Sequence, residues 1–455
     1  MDNRFRASFL SIFDNSFKLT FIVSLVILTN LAIITKKLNE FNLSINVNVA
    51  IILFLCLFLI ILFVNYFISW QIKRYEINEK SIVMYKNIFV RDRKEILINN
   101  IANICISENI FERIFKLKRI RIFEYAKDKM FCDFEVVVCD KIYCKYILNI
   151  LKRNNITYSK KFKFSEILKH SFLSIPISSI VVIVNFILLV FNMINDGSFA
   201  KEIMYDFLGL MVTLIGFVFP VIYNTSKNVI KYFSYKISKD DTKIYISYGI
   251  FTRKEYIIPT NKINGIIVDV SLLSKIFRCY KVNIINAGIG DKKSEIAMLF
   301  PICNLKKSRK IFKKCFSDYN LKIDKKRQPY ETLVVISAKI MILMLILVIP
   351  AVYLDIQIAM YILFFLFALI ILIFLVKRTL ITDKHISIIN GIVIKRIRVI
   401  NCNQIEKLEI RQGIISKQFN LYKVYLNITA DIKNRTLSTG YITQQDLTHL
   451  LELVL

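Results

Sequence analysis

The chain has 455 residues, with 64 Lys and Arg against 34 Asp and Glu for a formal net charge of +30, yet 55% of it is apolar. That pairing excludes a basic disordered tail, which would be poor in Ile and Phe, and an ordinary soluble nucleic-acid binder. Nine scattered cysteines, an odd number in so long a chain, also exclude a disulfide scaffold.

In chain order, Met1–Phe17 either lies flat on a membrane through Phe5, Phe9, Ile12, Phe13 and Phe17 or extends the first helix. Six apolar stretches then match the roughly 17–25 residues that a membrane-crossing helix needs. They are Phe17–Ile34, Val47–Ser69, Ser171–Met193, Met204–Tyr223, Leu333–Tyr353 and Ile356–Val376. No small-x-small site precedes Lys36-Lys37, so the first reads as an uncleaved helix. The expectation is an α+β membrane protein of six transmembrane helices in three hairpins, each followed by a small β domain with a C-terminal helix. The hairpin links, Thr35–Asn46, Ile194–Ile203 and Leu354–Asp355, hold only Lys36, Lys37 and Lys201 among the basic residues. Positive charge near helix ends stays on the cytoplasmic side, which predicts a multi-pass cell-membrane protein with both termini and all three β domains in the cytoplasm. Eight cysteines would then face a reducing compartment, as small buried hydrophobes.

The predicted boundaries alternate accordingly. An N-terminal segment and hairpin occupy 1–71, a β domain 72–160, a hairpin 161–225, a β domain 226–328, a hairpin 329–377 and a β domain 378–455. The β domains are copies of one another. Asn87–Ile122, Gly249–Ile284 and Gly391–Leu426 align without a gap, so that Asn99, Asn261 and Asn403 coincide, as do Phe115, Phe277 and Phe419. Arg119, Lys281 and Lys423 share charge in the same register. Within the copies, Tyr248-Gly249 and Asn390-Gly391 read as hairpin turns, with Lys86-Asn87 a weaker equivalent. Each copy predicts short antiparallel strands, a curled sheet or partly open barrel, and a closing amphipathic helix at Lys141–Arg153, Asn304–Asp318 or Gln444–Leu455. Thr443 is the expected N-cap of the last.

The second copy carries Asn261-Lys262-Ile263-Asn264-Gly265-Ile266, then Leu272-Leu273-Ser274-Lys275-Ile276-Phe277, then Val282-Asn283-Ile284. With a helix pair before each β segment, the chain resembles the bacterial pleckstrin-homology-like (PH-like) membrane proteins, the YdbT-like members with three PH-like domains in particular. The resemblance implies a PH-like fold, no known catalysis and a smaller single-domain PH-like membrane protein as a partner. Many members have Gly after the shared Phe; Lys116, Arg278 and Asn420 stand there in this chain.

Chemistry-bearing constellations are sparse. His170, His385 and His449 lack a Cys, Asp or His at ligand spacing and read as exposed or locally satisfied. Gly288-Ile289-Gly290 lacks the helix and ending of a phosphate loop, and Asp240-Asp241 reads as a turn. No catalytic residue, cofactor or metal is expected. For a transporter, the spans offer Asn30, Asn185, Thr213 and Lys339, and no polar stripe runs through one helix. The densest signal is basic: Lys306, Lys307, Arg309, Lys310, Lys313 and Lys314 share one predicted helix, and Lys325, Lys326 and Arg327 lead into the next span. Such clusters mark topology and aid solubility, and as a group they suit anionic lipid headgroups. The expected role is a non-enzymatic scaffold or adaptor using its PH-like domains on a protein partner or anionic lipid, in cell-envelope homeostasis. The alternative is a transporter or channel component with cytoplasmic regulatory domains.

Overall fold

The computed structural model describes residues 4–30, 47–78, 80–87, 91–124, 134–142, 155–174, 219, 221–277, 279–286, 298–304, 327–338, 340–341, 356–391, 395–428 and 436–454. It falls into two units, each taken by itself: residues 1–124, 132–154 and 252–254, and residues 125–131, 155–251 and 255–455.

In the first unit, helices α1 (Leu10–Thr29) and α2 (Val47–Ile72) touch through aromatic rings, Phe13 on Phe63 at 5.4 Å and Phe9 on Trp70 at 5.4 Å. A four-stranded antiparallel sheet follows in the order β1 (Arg4–Phe5), β2 (Lys73–Ile77), β3 (Ser81–Asn87), β4 (Arg91–Leu97). A single helical turn at Ile98–Asn100 leads to β5 (Ile101–Glu108), β6 (Leu117–Glu124) and β7 (Phe134–Cys139). Between β5 and β6 lies the short helix α3 (Ile110–Ile114), begun by a capping box. The Asn109 side chain accepts from the Glu112 amide at 2.7 Å, and the Glu112 carboxylate accepts from the Asn109 amide at 2.9 Å.

The second unit repeats this plan twice. Strand β8 (Tyr158–Lys161) comes first, then helix α4 (Phe164–Leu173), then β9 (Lys236–Lys239), β10 (Lys243–Tyr248) and β11 (Arg253–Pro259). Then come β12 (Gly265–Val270), α5 (Leu272–Ile276), β13 (Cys279–Ile285) and β14 (Met298–Asn304). The last copy runs α6 (Ile356–Val376), β15 (Arg378–Ile381), β16 (His385–Asn390), β17 (Lys395–Asn401), β18 (Ile405–Arg411), α7 (Ile414–Gln418), β19 (Tyr422–Ile428), β20 (Thr436–Ile442) and α8 (Gln444–Val454). The hairpin glycines Gly249 and Gly391 have φ of 112° and 103°, the positive region that tight turns require. The Asp446 amide donates to the Thr443 hydroxyl at 3.4 Å at the start of α8.

Each copy is two half-sheets of three strands, and the halves do not close on themselves as expected. In the second unit the order is β14-β13-β12-β17-β16-β15, so the later half of copy two continues directly into the earlier half of copy three. The joint is antiparallel, running from Gly265 opposite Ile400 to Val270 opposite Lys395. Across it, Arg396 Nε donates to Asp269 Oδ1 at 2.7 Å. The third core therefore draws on both copies: Ile267 and Ile285 pack with Ile386, Ile388, Ile400, Val424, Leu426 and Leu450. A separate β-cup per copy is thus corrected to sheets shared between copies two and three.

The six-helix, three-hairpin expectation is corrected too. Among the described residues one helix is long and apolar enough to cross a membrane, Ile52–Ile72, with 21 residues, a mean hydropathy of 2.7 and no part buried. The apolar helix Met360–Val376 is shorter, and the rest of the described chain is dominated by sheets. A stretch of apolar letters sets composition, whereas crossing needs an unbroken helix of roughly 17–25 such residues. At Thr29 and Asn30 the side chains turn back to the Val26 carbonyl at 2.9 Å, ending α1. The spans expected at 175–193 and 204–218, most of that at Leu333–Tyr353, and the helices at 143–153 and 305–318 lie outside the described residues.

Candidate functional site: basic clefts beneath the helices

Where α2 meets the sheet, the chain encloses a cavity of about 350 Å³. Its wall takes Ser69 and Trp70 from the end of α2, Lys73 from the start of β2, Arg119 from β6, and Glu135, Val136 and Val137 from β7. Trp70 Nε1 donates to the Ala7 carbonyl at 2.7 Å, which ties the N-terminal segment to the helix foot, and the Arg6 guanidinium lies 5.3 Å over the indole. Arg119 is gripped from two sides, its Nε 2.7 Å from Glu112 Oε1 and its NH1 2.8 Å from Glu135 Oε1. Arg121 Nε adds a contact to the same Glu135 oxygen at 3.2 Å. Burial opposes ionisation of Glu135, but Arg121 and Arg119 outweigh it and hold its carboxyl below the usual range. Burial, with Glu135 nearby, pushes the Tyr75 hydroxyl up to about 12, so it stays a neutral donor to the Glu135 carbonyl at 3.3 Å.

A second cavity, of about 200 Å³, lies beneath α6 in the third copy. Six of its lining residues hold the same positions in the repeat register. Ile373 stands for Ser69, Lys377 for Lys73, Lys423 for Arg119, Thr439 for Glu135, Gly440 for Val136 and Tyr441 for Val137. Gln328 closes one side. Its Nε2 donates to the Phe374 carbonyl at 3.1 Å, and its Oε1 accepts from the Tyr441 amide at 3.0 Å. A Cβ at Gly440 would come within 2.9 Å of Gln328 Oε1, so any larger residue there would have to push the Gln328 amide aside. With Thr439 in place of Glu135, this lining has two cations and no acid. Lys423 lies 5.1 Å from the Tyr425 ring and, by hydrogen bonding, lowers the Tyr425 hydroxyl pKa.

The middle copy is plugged at the corresponding place. Tyr235 occupies the Lys73 position, is fully buried, and donates its hydroxyl to the carbonyl of Met298, the residue at the Val136 position. Tyr232 and Tyr248 flank it, the latter stacked at 5.6 Å and 7°. Lys281 takes the Arg119 position, where burial lowers its pKa.

Of the basic cluster read from the sequence, Lys306, Lys307, Arg309, Lys310, Lys313, Lys314, Lys325 and Lys326 lie outside the described residues, and Arg327 is exposed. The transporter residues Asn185, Thr213 and Lys339 also lie outside them, as does Gly288–Asp291. One histidine reading changes. His170 is 2% exposed, packs against Tyr232 at 5.3 Å, and has neither ring nitrogen hydrogen-bonded among the described residues. His449 Nε2 lies 3.6 Å from Asp383 Oδ1. Asp240 is buried in its turn, accepting from the Thr242 amide at 2.9 Å and the Tyr245 hydroxyl at 2.8 Å. Among the described residues no three His, Cys, Asp or Glu side chains gather as a metal site. The shared charge of Arg119 and Lys423 was visible in the sequence; their pairing with Lys73 and Lys377 was not, since the two positions join only when β2 and β6 fold under the helix.

Comparison with known proteins agrees with the threefold plan. The sequence profile of the bacterial PH domain matches the chain three times, over residues 22–154, 177–317 and 335–452. Over 143 residues the chain is 27% identical to the UPF0699 transmembrane protein YdbT of Bacillus subtilis (strain 168), a stretch covering 31% of this chain and 29% of that protein. The chain thus matches less than a third of that curated relative's length. No solved structure matches it.

Proposed function

Because the chain belongs to the bacterial PH domain family, with three copies of the domain, we propose that it is a non-enzymatic membrane scaffold whose clefts hold anionic phospholipid headgroups. The observation that carries this reading is the recurrence of two cations in a cavity at the foot of an apolar helix, Lys73 with Arg119 and Lys377 with Lys423. The end of an apolar helix is where lipid phosphates sit, and Trp70 is the residue type that favours that level. A water takes ~30 Å³ of liquid volume, so each cavity has room for a phosphate. In this reading the middle domain, closed by Tyr235, serves protein contacts alone.

The test copies nature's own plug. The full-length protein is placed in nanodiscs of mixed phosphatidylglycerol and phosphatidylcholine, and retained lipid is counted by native mass spectrometry. Unmodified protein should retain phosphatidylglycerol preferentially. Lys73→Tyr with Lys377→Tyr should cut that retention at least about fivefold, as expected for about 1 kcal/mol per close charge, while Lys80→Ala changes nothing. Equal retention by all three proteins overturns the reading.

A further inference from the structure

Strands β5, β12 and β18 hold one position in the repeat, yet their burial differs sharply. In β5 every residue but the last is buried, and in β12 every residue but Asp269; in β18 none is. The same holds on the other side of the joint. β17 buries Ile397, Val399 and Ile400, while its equivalent β4 buries only Ile96 among residues 92–97. Among the described residues β18 and β4 are terminal strands of their sheets, in the orders β18-β19-β20 and β1-β2-β3-β4. Apolar side chains accompany the β18 edge: Ile410 is 44% exposed and Ile414 of α7 87%. A bare edge strand beside exposed apolar side chains is a template for another strand.

We infer that the β18 edge of one molecule receives β4 of a second copy, so that the joint between copies two and three is repeated head to tail between molecules. The β12–β17 joint supplies the register. Gly265 begins it only because its missing Cβ tolerates the Val399 carbonyl, to which a Cβ would come within 2.6 Å. Lys407 stands at that position in β18, so pairing begins one rung later, with Leu408 opposite Glu95. The next rungs set Glu409 opposite Lys94, Ile410 opposite Arg93 and Arg411 opposite Asp92. The last pair takes the place of the Asp269–Arg396 ion pair with the charges exchanged between strands. That exchange preserves attraction across the joint, and the contact is heterologous, so it propagates rather than closing on a twofold axis.

The experiment uses two differently tagged full-length copies co-expressed in membranes, one with Glu95→Cys and the other with Leu408→Cys. Mild oxidation should give a two-tag, disulfide-linked dimer that appears only when both new cysteines are present. Moving the first cysteine to Arg93→Cys should lower the yield at least about fivefold, since it leaves the register. Arg411→Asp in one copy should lower it similarly, and Asp92→Arg in the other should restore it. A chain bearing both cysteines should give a ladder of dimers and larger species. A crosslink found only within single chains, or none while both single-cysteine proteins accumulate in the membrane at normal levels, overturns the inference. The readout is independent of lipid retention, so this contact and the headgroup clefts stand or fall separately.

Discussion

Arg119 shows how one side chain is fixed by its neighbours. Glu112, itself 2% exposed, both caps α3 and binds the guanidinium, so the helix start and the cleft floor share one carboxylate. Glu135 completes the grip, and its lowered pKa has a thermodynamic consequence. A carboxylate with a folded pKa below its unfolded value of about 4.3 stabilises the fold above that value. The contribution disappears as pH falls through the folded value. Thermal unfolding followed between pH 7 and pH 3 should show the unmodified protein losing stability on acidification more steeply than Glu135→Gln, which starts lower at pH 7. Parallel curves would show that Glu135 contributes nothing to the pH dependence. At this scale the sequence was partly legible. Matching charges at 119 and 423 stood out against a background of cheap isoleucine matches. Glu112 did not, because its role depends on β6 passing beside α3.

Elements were the most legible level. The expected β strand Lys243–Tyr248 has the observed bounds, and the last helix begins at Gln444 as expected. The turns owe this to Gly249 and Gly391, whose positive φ only glycine adopts without strain. The positions after Phe115 and Phe419 tell the complementary story. Lys116 and Asn420 take φ of 52° and 49°, the region that Gly adopts freely. The left-handed backbone is thus retained with side chains that it disfavours, at a cost of about 1–2 kcal/mol for Lys. Lys116→Gly should therefore raise the unfolding temperature, gaining about 0.5–1 kcal/mol after the added freedom of the unfolded chain is counted. Asn420→Gly should gain less, since Asn tolerates that region. A fall in unfolding temperature for Lys116→Gly would contradict this account. The helices were less legible: the first, expected over Phe17–Ile34, runs from Leu10 to Thr29, because apolar composition does not fix where a helix begins and ends.

Across the whole molecule, the connection between copies was hidden. Periodicity distinguishes a strand's two faces but carries no information about which strand lies along its edge. Only Gly265, alone among its equivalents Asn103 and Lys407, marks the close approach of β12 to β17. Gly265→Ala should cost about 1–3 kcal/mol, because the added methyl must displace the Val399 backbone. Limited proteolysis of the full-length protein should then cut the Asn390–Lys395 region faster. Unchanged cleavage would mean that the close contact is not needed.

Ile267 and Ile285 of copy two complete a core that both halves of copy three otherwise build, from Ile386 to Leu450, so the physical domain overruns its sequence repeat on the N-terminal side. A gene boundary drawn at the start of the third repeat would strip Ile267 and Ile285 from this interior, while one at the single helical turn Cys402–Gln404 would part Ile386, Ile388 and Ile400 from Val424, Leu426 and Leu450. An ancestor with one repeat would have closed most of this interior by itself and lacked only the cover that Ile267 and Ile285 give, so each added repeat finishes the core of the one after it.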